Sequence, residues 1–282
     1  MGLAIVLLIL HLISRSITKP VVHLAQVTKQ VAEGDLDKID IPPGAEARHD
    51  EISMLYHSFF DMVKGLQEKE RVRGILNKVV SPEIADAALQ GKIQLGGEER
   101  EVTVLFADIR GFTHLVEHMA PSDVITLINE CMTRVSRVID QHDGVIDKYV
   151  GDEVMALFGA PVEKEGSPSH AVSCAAAILK ELQAWNGERK QAGLAPIEMG
   201  IGVHTGVVVA GNMGAENRLN YTVLGANVNV AARLCENAAP MELLISKATH
   251  DKLGGEVPQT SPHEPISLKG FTEPLECYAL RL

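Results

Sequence analysis

The sequence predicts an α+β protein: a ferredoxin-like antiparallel sheet with helices on one face, preceded by a separate helical module. Three observations predict it. From about residue 100 onward, short β-rich runs and long amphipathic stretches follow one another in the order strand, helix, two strands, helix, strand. Residues 16–69 instead carry apolar side chains at spacings of three and four, with no β-rich run among them. The length, 282 residues, accommodates one domain of ordinary size and a smaller module beside it.

The composition agrees. Hydrophobic residues at 46% and charged residues at 22% are those of a chain that folds around a core. Lys and Arg number 26 against 37 Asp and Glu, for a net charge of -11, so the overall field repels polyanions and excludes broad nucleic-acid binding. Any phosphate site must be local. The four cysteines, Cys131, Cys174, Cys235 and Cys277, are far apart and form no C-x-x-C pair, which suits buried apolar residues in a reducing compartment.

At the start, Gly2 to Ile13 is apolar except for His11, and Arg15 and Lys19 follow. Alone the run covers only ~18 Å at 1.5 Å per residue, short of the hydrocarbon thickness. No basic segment precedes it and no small-residue cleavage site follows it, so a signal peptide does not fit. Residues 1–15 are therefore expected to be the end of a transmembrane helix, with the basic residues on the cytoplasmic side; a buried helix is the alternative. The next helix carries Ile17, Val21, Leu24, Val27, Thr28 and Val31 on one stripe, has Pro20 near its start and ends at Glu33-Gly34. A connector with Gly34, Pro42, Pro43 and Gly44 forbids helix continuation. A second helix opens at Asp50-Glu51, where acidic residues favour an N-terminus, and carries Ile52, Leu55, Phe59, Met62, Val63 and Leu66.

Pro20, Gly34-Asp35-Leu36 and Asp50-Glu51-Ile52, at this spacing after an apolar helix, resemble a HAMP module, the parallel four-helix bundle that relays signals in membrane receptors. Neither helix buries its stripe alone, so the pattern itself calls for dimerisation. Residues 70–99 hold a further amphipathic stretch, with Val72, Ile75, Leu76, Val79 and Val80 on one face, then Ser81-Pro82-Glu83 as a helix start and a polar run from Gly91 to Glu101. They are expected to be a coupling helix and linker.

In the remaining domain, 100–282, Val102 to Ala107 reads as a strand, Ser122 to His142 as a helix, and Val145 to Phe158 as two strands joined at Gly151-Asp152. Ser169 to Gln191 reads as a helix, Met199 to Ala210 and Leu219 to Leu224 as strands, and Val228 to Asn237 as a helix before short closing strands. In Phe106-Ala107-Asp108-Ile109-Arg110-Gly111-Phe112-Thr113 a carboxylate ends a hydrophobic strand and a glycine turn presents free backbone N–H groups, an arrangement that suits a metal and a phosphate. Asp152 sits on a hairpin turn that brings it beside Asp108. Magnesium takes one or two protein carboxylates and draws other ligands from substrate phosphates.

These blocks, F-A-D-I-R-G-F-T, then D-K-Y-V-G-D-E, then Y-T-V-L-G-A-N-V-N-V-A-A-R-L, are similar to the signature blocks of class III adenylyl and guanylyl cyclases, over about Glu101 to Leu282. The resemblance implies the class III cyclase fold and a two-metal reaction with Mg2+ or Mn2+, two per active site, at a homodimer interface. In it the ribose 3′-OH attacks the α-phosphorus in line and pyrophosphate leaves. It implies that Asp108 and Asp152 bind metal, with the Ile109 carbonyl as a further ligand, and that Asn229 and Arg233 orient the ribose and steady the transition state. Arg218 and Lys269 resemble the cations that hold the leaving phosphates, with exposed surface cations as the alternative.

Lys148 and Thr222 set the base. Adenine offers an acceptor at N1 and a donor amino group at N6, which an ammonium and a hydroxyl oxygen complement; guanine reverses both edges. Guanylyl cyclases of the family carry Glu and Cys at these places. Many members have Asp where this chain has Thr222, and the Thr form resembles a subgroup that includes bicarbonate-responsive enzymes. Ala226, often Asp in the family, has no functional reading. His204 is expected to be a hydrogen-bonded core histidine, not a general base.

The expectation is thus an adenylate cyclase making cyclic AMP from ATP, anchored in the membrane by its N-terminal helix with the catalytic domain in the cytoplasm. A guanylate cyclase or a catalytically silent dimerising relay are the alternatives. A diguanylate cyclase does not fit, because Gly-Gly is missing before Asp152-Glu153.

Overall fold

The structure is a computed structural model that describes residues 2–33, 35, 36, 39, 50–79, 96–215, 218–255, 257–267 and 274–281, with backbone only at 76–79, 218 and 219. The chain divides into two compact units, Met1–Ala85 and Asp86–Leu282.

In the first unit α1 (Gly2–Ile13) passes through a single π-helical turn, Ser14–Thr18, into α2 (Lys19–Ala32) without a break. The wide turn sits just before Pro20, whose missing N–H removes one helical bond, and the Lys19 N–H reaches back to the Ser14 carbonyl. The apolar run is therefore the first part of a longer helix, Gly2–Ala32, 31 residues long and apolar enough to cross a membrane. Glu33 closes it with its N–H on the Gln30 carbonyl. Helix α3 (Glu51–Val79) starts where the acidic pair predicts, with Asp50 Oδ1 accepting from the Ser53 N–H at 3.0 Å. It runs on past residue 69 with no interruption, so the second helix and the start of the coupling segment are one element. The helix start at Ser81-Pro82-Glu83 and most of the connector lie outside the described residues.

Helices α2 and α3 pack through Val27, Tyr56, Phe59, Phe60 and Val63, and the Tyr56 hydroxyl donates to the Pro20 carbonyl at 2.8 Å. Leu55, Met62, Leu66, Val72 and Ile75 stay exposed, so two helices cover only part of the stripe they carry.

The second unit is built on a sheet of order β2-β3-β1-β4-β6-β8-β7, with β5 paired to the far half of β4. The strands are β1 (Gly96–Ile109), β2 (Val145–Val150), β3 (Glu153–Phe158), β4 (Met199–Ala215), β5 (Arg218–Leu224), β6 (Glu242–Ser246), β7 (Ser261–Ile266) and β8 (Leu275–Arg281). The helices are α4 (Phe112–Val116), α5 (Pro121–Gln141), α6 (Ser167–Gln191), α7 (Ala226–Asn237) and α8 (Lys247–His250). Among the first four strands every neighbouring pair, β2–β3, β3–β1 and β1–β4, is antiparallel, in the ferredoxin-like order that the sequence predicts.

Two features go beyond that expectation. Strand β6 lies parallel to β4, so the sheet is mixed. A parallel neighbour requires a crossover, and α7 makes it on the face that α5 and α6 leave bare. The alternation of β1 sorts the two layers: Leu105, Ala107 and Ile109 pack with α5 and α6, whereas Val102, Val104 and Phe106 pack with Ala231 and Cys235 of α7. Helices thus occupy both faces.

The seating of α7 depends on one missing side chain. A Cβ on Gly202 would lie 2.2 Å from the Cys235 backbone N and 2.4 Å from the Ala231 carbonyl oxygen, so only glycine lets the helix lie this close to β4. Gly202→Ala is expected to push α7 outward and cost about 1–3 kcal/mol. A thermal melt of the variant should show a midpoint lower by several degrees; an unchanged midpoint contradicts the close approach.

Candidate active site

Strand β1 delivers Asp108 at its end, on the α7 face, and the β1–β3 pairing sets Asp108 opposite Glu153. The tight turn between β2 and β3, with Gly151 at φ +64, places Asp152 next to that pair. Burial pushes the Asp108 carboxyl above its usual range, and the neighbouring Asp152 carboxylate adds to this; Arg110 pulls the other way. Glu153 is raised as well, by burial first and then by Asp108, Glu236 and Asp152. Asp108, Asp152 and Glu153 thus crowd a half-buried corner, with Glu236 at its exposed rim paired to Arg233, and the Arg110 guanidinium stands 3.5 Å from Asp108. That guanidinium is committed elsewhere too, donating to the Cys235 carbonyl near the C-terminal end of α7 at 2.9 Å. The corner carries uncompensated negative charge, which is what a divalent cation relieves. Among the described residues no group of three His, Cys, Asp or Glu side chains is placed to hold a metal ion by itself. Beyond Ile109, Gly111 at φ +65 turns the chain into α4.

Lys148 and Thr222, far apart in sequence, meet in space. The Lys148 ammonium donates to Thr222 Oγ1 at 3.1 Å, linking β2 to β5. Both also contact Asp147, Lys148 Nζ at 3.1 Å and the Thr222 hydroxyl at 3.0 Å, each on Oδ2. Asp147 is the extra residue of a bulge where the β2–β3 register skips from Ile146 to Lys148. Sequence reasoning missed it, because the residue before Lys148 in a regular strand points to the opposite face. No sequence signal marks a bulge here.

Asn229 and Arg233 stand one turn apart on α7, Asn229 exposed and Arg233 donating to Glu236 Oε1 at 2.7 Å. Arg218 is the first residue of β5, and Lys269 lies outside the described residues. Arg110, inside the first block, and Glu236, two residues beyond the third, also lie beside the Asp108 carboxylate, and the sequence reading did not single them out.

The adenylate and guanylate cyclase catalytic domain matches residues 97–281, and the HAMP domain matches residues 12–68. The chain belongs to the adenylate and guanylate cyclase family. An uncharacterized protein of Mycobacterium tuberculosis (strain H37Rv) is 38% identical over 259 residues, 90% of this chain and 46% of that protein. The chain thus spans less than half the length of this curated relative. Among solved structures, the adenylyl cyclase CyaB from P. aeruginosa is 34% identical with a TM-score of 0.62, covering 66% of this chain and 95% of that one. The guanylyl cyclase Cya2 is also 34% identical, with a TM-score of 0.60 and coverage of 66% and 93%.

In this cyclase domain a buried polar network holds the start of α7. His204 is 6% exposed, and its Nδ1 lies 2.7 Å from Ser246 Oγ and its Nε2 3.0 Å from Asn227 Oδ1. Asn227 spends its amide N–H on the Val207 carbonyl at 2.7 Å, so its oxygen must accept from the imidazole Nε2–H. The histidine is the hydrogen-bonded core residue the sequence suggests. Burial pushes its pKa below the usual value, against a smaller opposite effect of Asn227. The unfolded chain therefore takes up this proton near pH 6.5 while the folded chain declines it, and stability falls as the pH drops below that point. His204→Gln removes the contribution. Unfolding midpoints measured from pH 7.5 to 5.5 should slope less steeply in the variant, by at most about 1.4 kcal/mol per pH unit; an equal slope contradicts a neutral buried His204.

Proposed function

We propose that the protein is a homodimeric adenylate cyclase that converts ATP to 3′,5′-cyclic AMP and pyrophosphate, regulated through its HAMP module. The observation that carries the choice of ATP is the Lys148–Thr222 contact at 3.1 Å, a donor and an acceptor held side by side. The ammonium faces N1 of adenine and the hydroxyl oxygen takes the N6 amino hydrogen. With guanine, the N1–H opposes the ammonium and O6 offers no hydrogen to the hydroxyl oxygen. Of the two solved structures described above, one is an adenylyl cyclase and the other a guanylyl cyclase, so the reading rests on this chain's own residues.

Asp108 and Asp152, with the Ile109 carbonyl, would hold Mg2+ or Mn2+; burial first and then the neighbouring Asp152 carboxylate raise the Asp108 carboxyl, and a divalent ion offsets both. Bound there, the ions supply Lewis acidity toward the phosphates and the 3′-OH. Asn229 orients the ribose and Arg233, one turn on, meets charge developing on the α-phosphate, while Arg218 and Lys269 hold the leaving phosphates. His204 takes no proton from substrate, since both ring nitrogens are engaged in the core.

Dimerisation is supported by apolar side chains left in the open on the sheet: Tyr149 and Val150 on β2, Val207 and Val209 on β4, and Leu224, which pairs with Val209, on β5. The unfilled stripe of α3 supports it from the helical unit. The Gly2–Ala32 helix supports a membrane anchor, with the catalytic domain in the cytoplasm.

Two measurements test the reading. Purified protein supplied with Mg2+ or Mn2+ should turn over ATP well ahead of GTP, and Lys148→Glu with Thr222→Cys should damage ATP turnover far more than GTP turnover; equal use of both nucleotides by the unaltered protein refutes the adenine reading. Mixing inactive Asp108→Ala with inactive Arg233→Ala should restore activity, to at most about half the unaltered rate per mixed dimer, because one of its two sites then holds every residue. If subunits exchange and no activity returns, catalysis lies within one chain.

A further inference from the structure

Resting on the adenine reading above, we infer that Asp147 is a positioning residue for base selection: it fixes the direction of the Thr222 hydroxyl so that the oxygen meets the nucleobase as an acceptor. A threonine hydroxyl is by itself ambiguous, since it donates one hydrogen bond and accepts two. Left free to rotate, Thr222 could serve the N6 amino group of adenine or the O6 carbonyl of guanine. A selective site has to remove that freedom.

The neighbours of Thr222 Oγ1 remove it. They are Lys148 Nζ at 3.1 Å and Asp147 Oδ2 at 3.0 Å. An ammonium only donates and a carboxylate only accepts, so a single proton arrangement satisfies both. The hydroxyl hydrogen goes to Asp147, one oxygen lone pair takes a hydrogen from Lys148, and the second lone pair remains for substrate. Lys148 is accounted for in the same way. One N–H goes to Thr222, one to Asp147 Oδ2 at 3.1 Å, and the third remains for N1 of adenine. The three side chains therefore present one donor and one acceptor, in the order adenine needs.

The backbone is arranged to permit this. In a regular strand Asp147 and Lys148 would point to opposite faces. The bulge between Ile146 and Lys148 places both beside Thr222. The Asp147 side chain is 1% exposed, and its Oδ1 is buried with no hydrogen-bond partner among the described residues. A purely structural bridge between β2 and β5 gains nothing from a buried charge with one oxygen unsatisfied, because a neutral amide or an apolar side chain would fill the space at lower cost. The negative charge has a use if it must hold a hydroxyl hydrogen and an ammonium at once. Burial pushes the Asp147 carboxyl up, while Lys148 and Thr222 pull it back toward the ionised form.

The test uses the full chain in detergent and the ratio of kcat/KM for ATP to that for GTP, a readout that a merely structural role does not move. Asp147→Asn offers amide hydrogens to the Thr222 hydroxyl and releases it toward substrate. The ATP value should fall about ten- to hundredfold, as for a polar group left mispaired in a buried site, while the GTP value changes less than about threefold. Thr222→Asp alone sets a second carboxylate against Asp147 and should impair both nucleotides. Combining Asp147→Asn with Thr222→Asp keeps one carboxylate in the site and supplies an acceptor with no hydroxyl to orient, so it should recover the preference for ATP to within about threefold of the unaltered protein. Equal losses for ATP and GTP in Asp147→Asn, or a double variant no more selective than Asp147→Asn, overturn the inference. If melting curves show that Asp147→Asn does not fold, the double variant is compared with Thr222→Asp alone: greater selectivity in the double supports the inference and equal selectivity overturns it. An unaltered protein that prefers ATP, with Asp147→Asn retaining that preference, sinks the role of Asp147 only. An unaltered protein with no preference sinks the adenine reading and this inference together.

Discussion

The pairing of β1 with β4 is the constraint on which the catalytic unit depends. The two strands run antiparallel along the whole of β1, from Gly96 opposite Asn212 to Ile109 opposite Met199. Their alternation sends Leu105, Ala107 and Ile109 into one core and Val102, Val104 and Phe106 into the other. A slip of one residue would exchange these sets and turn Asp108 away from α7. Strand β4 then carries three further elements: β6 beside its first half, β5 beside its second, and α7 across its face. The absent side chain of Gly202 sets how close that helix comes. Arg110 closes the assembly by joining the residue after Ile109 to the Cys235 carbonyl. Asp108 and the helix bearing Asn229 and Arg233 are consequently parts of one frame.

That frame buries charge in two different ways. Around Asp108, Asp152 and Glu153, burial and then the neighbouring carboxylates raise Asp108 and Glu153, Arg110 is the cation beside Asp108, and Glu236 at the rim is paired with Arg233. Crowded carboxylates of this kind favour a nearby positive charge, which is what the proposed reading assigns to a divalent ion. Asp147 is more deeply buried but is compensated within the chain by Lys148 and Thr222. Under the proposed reading the first cluster receives a charge from outside. The second has its counter-charge within the chain, and under the proposed reading that preorganisation serves discrimination between two similar bases.

Much of this was legible in the sequence. The strand ending at Asp108, the hairpin at Gly151-Asp152, the long helices and the i, i+4 spacing of Asn229 and Arg233 follow from local periodicity and turn chemistry, and the structure places them as read. What was not legible depends on relations between distant segments. Nothing in Val228 to Asn237 says which face of the sheet its stripe covers; the parallel placement of β6 decides it. The bulge at Asp147 is an event of register between β2 and β3, and the strand's own residues do not announce it. The joining of the apolar run to α2 through a π-helical turn was obscured by Pro20, which reads locally as a helix start.

Both units of the chain leave apolar surface that a single copy does not cover. In the helical unit, α2 and α3 bury Val27, Phe59 and Val63 between them and leave Leu55, Met62 and Leu66 outside. In the catalytic unit, Val207, Val209 and Leu224 form an exposed strip on adjacent strands, and Asn229 stands exposed on α7. Exposed apolar stripes on a helix pair and on a sheet are unrelated structural problems, and under the proposed reading one second copy of the chain, lying in parallel, covers both. Under the proposed reading this coincidence gives a signal its route. A rearrangement among the helices of the dimer changes how the two copies meet, and an active site that draws residues from both copies responds to that meeting without any change in the fold of either.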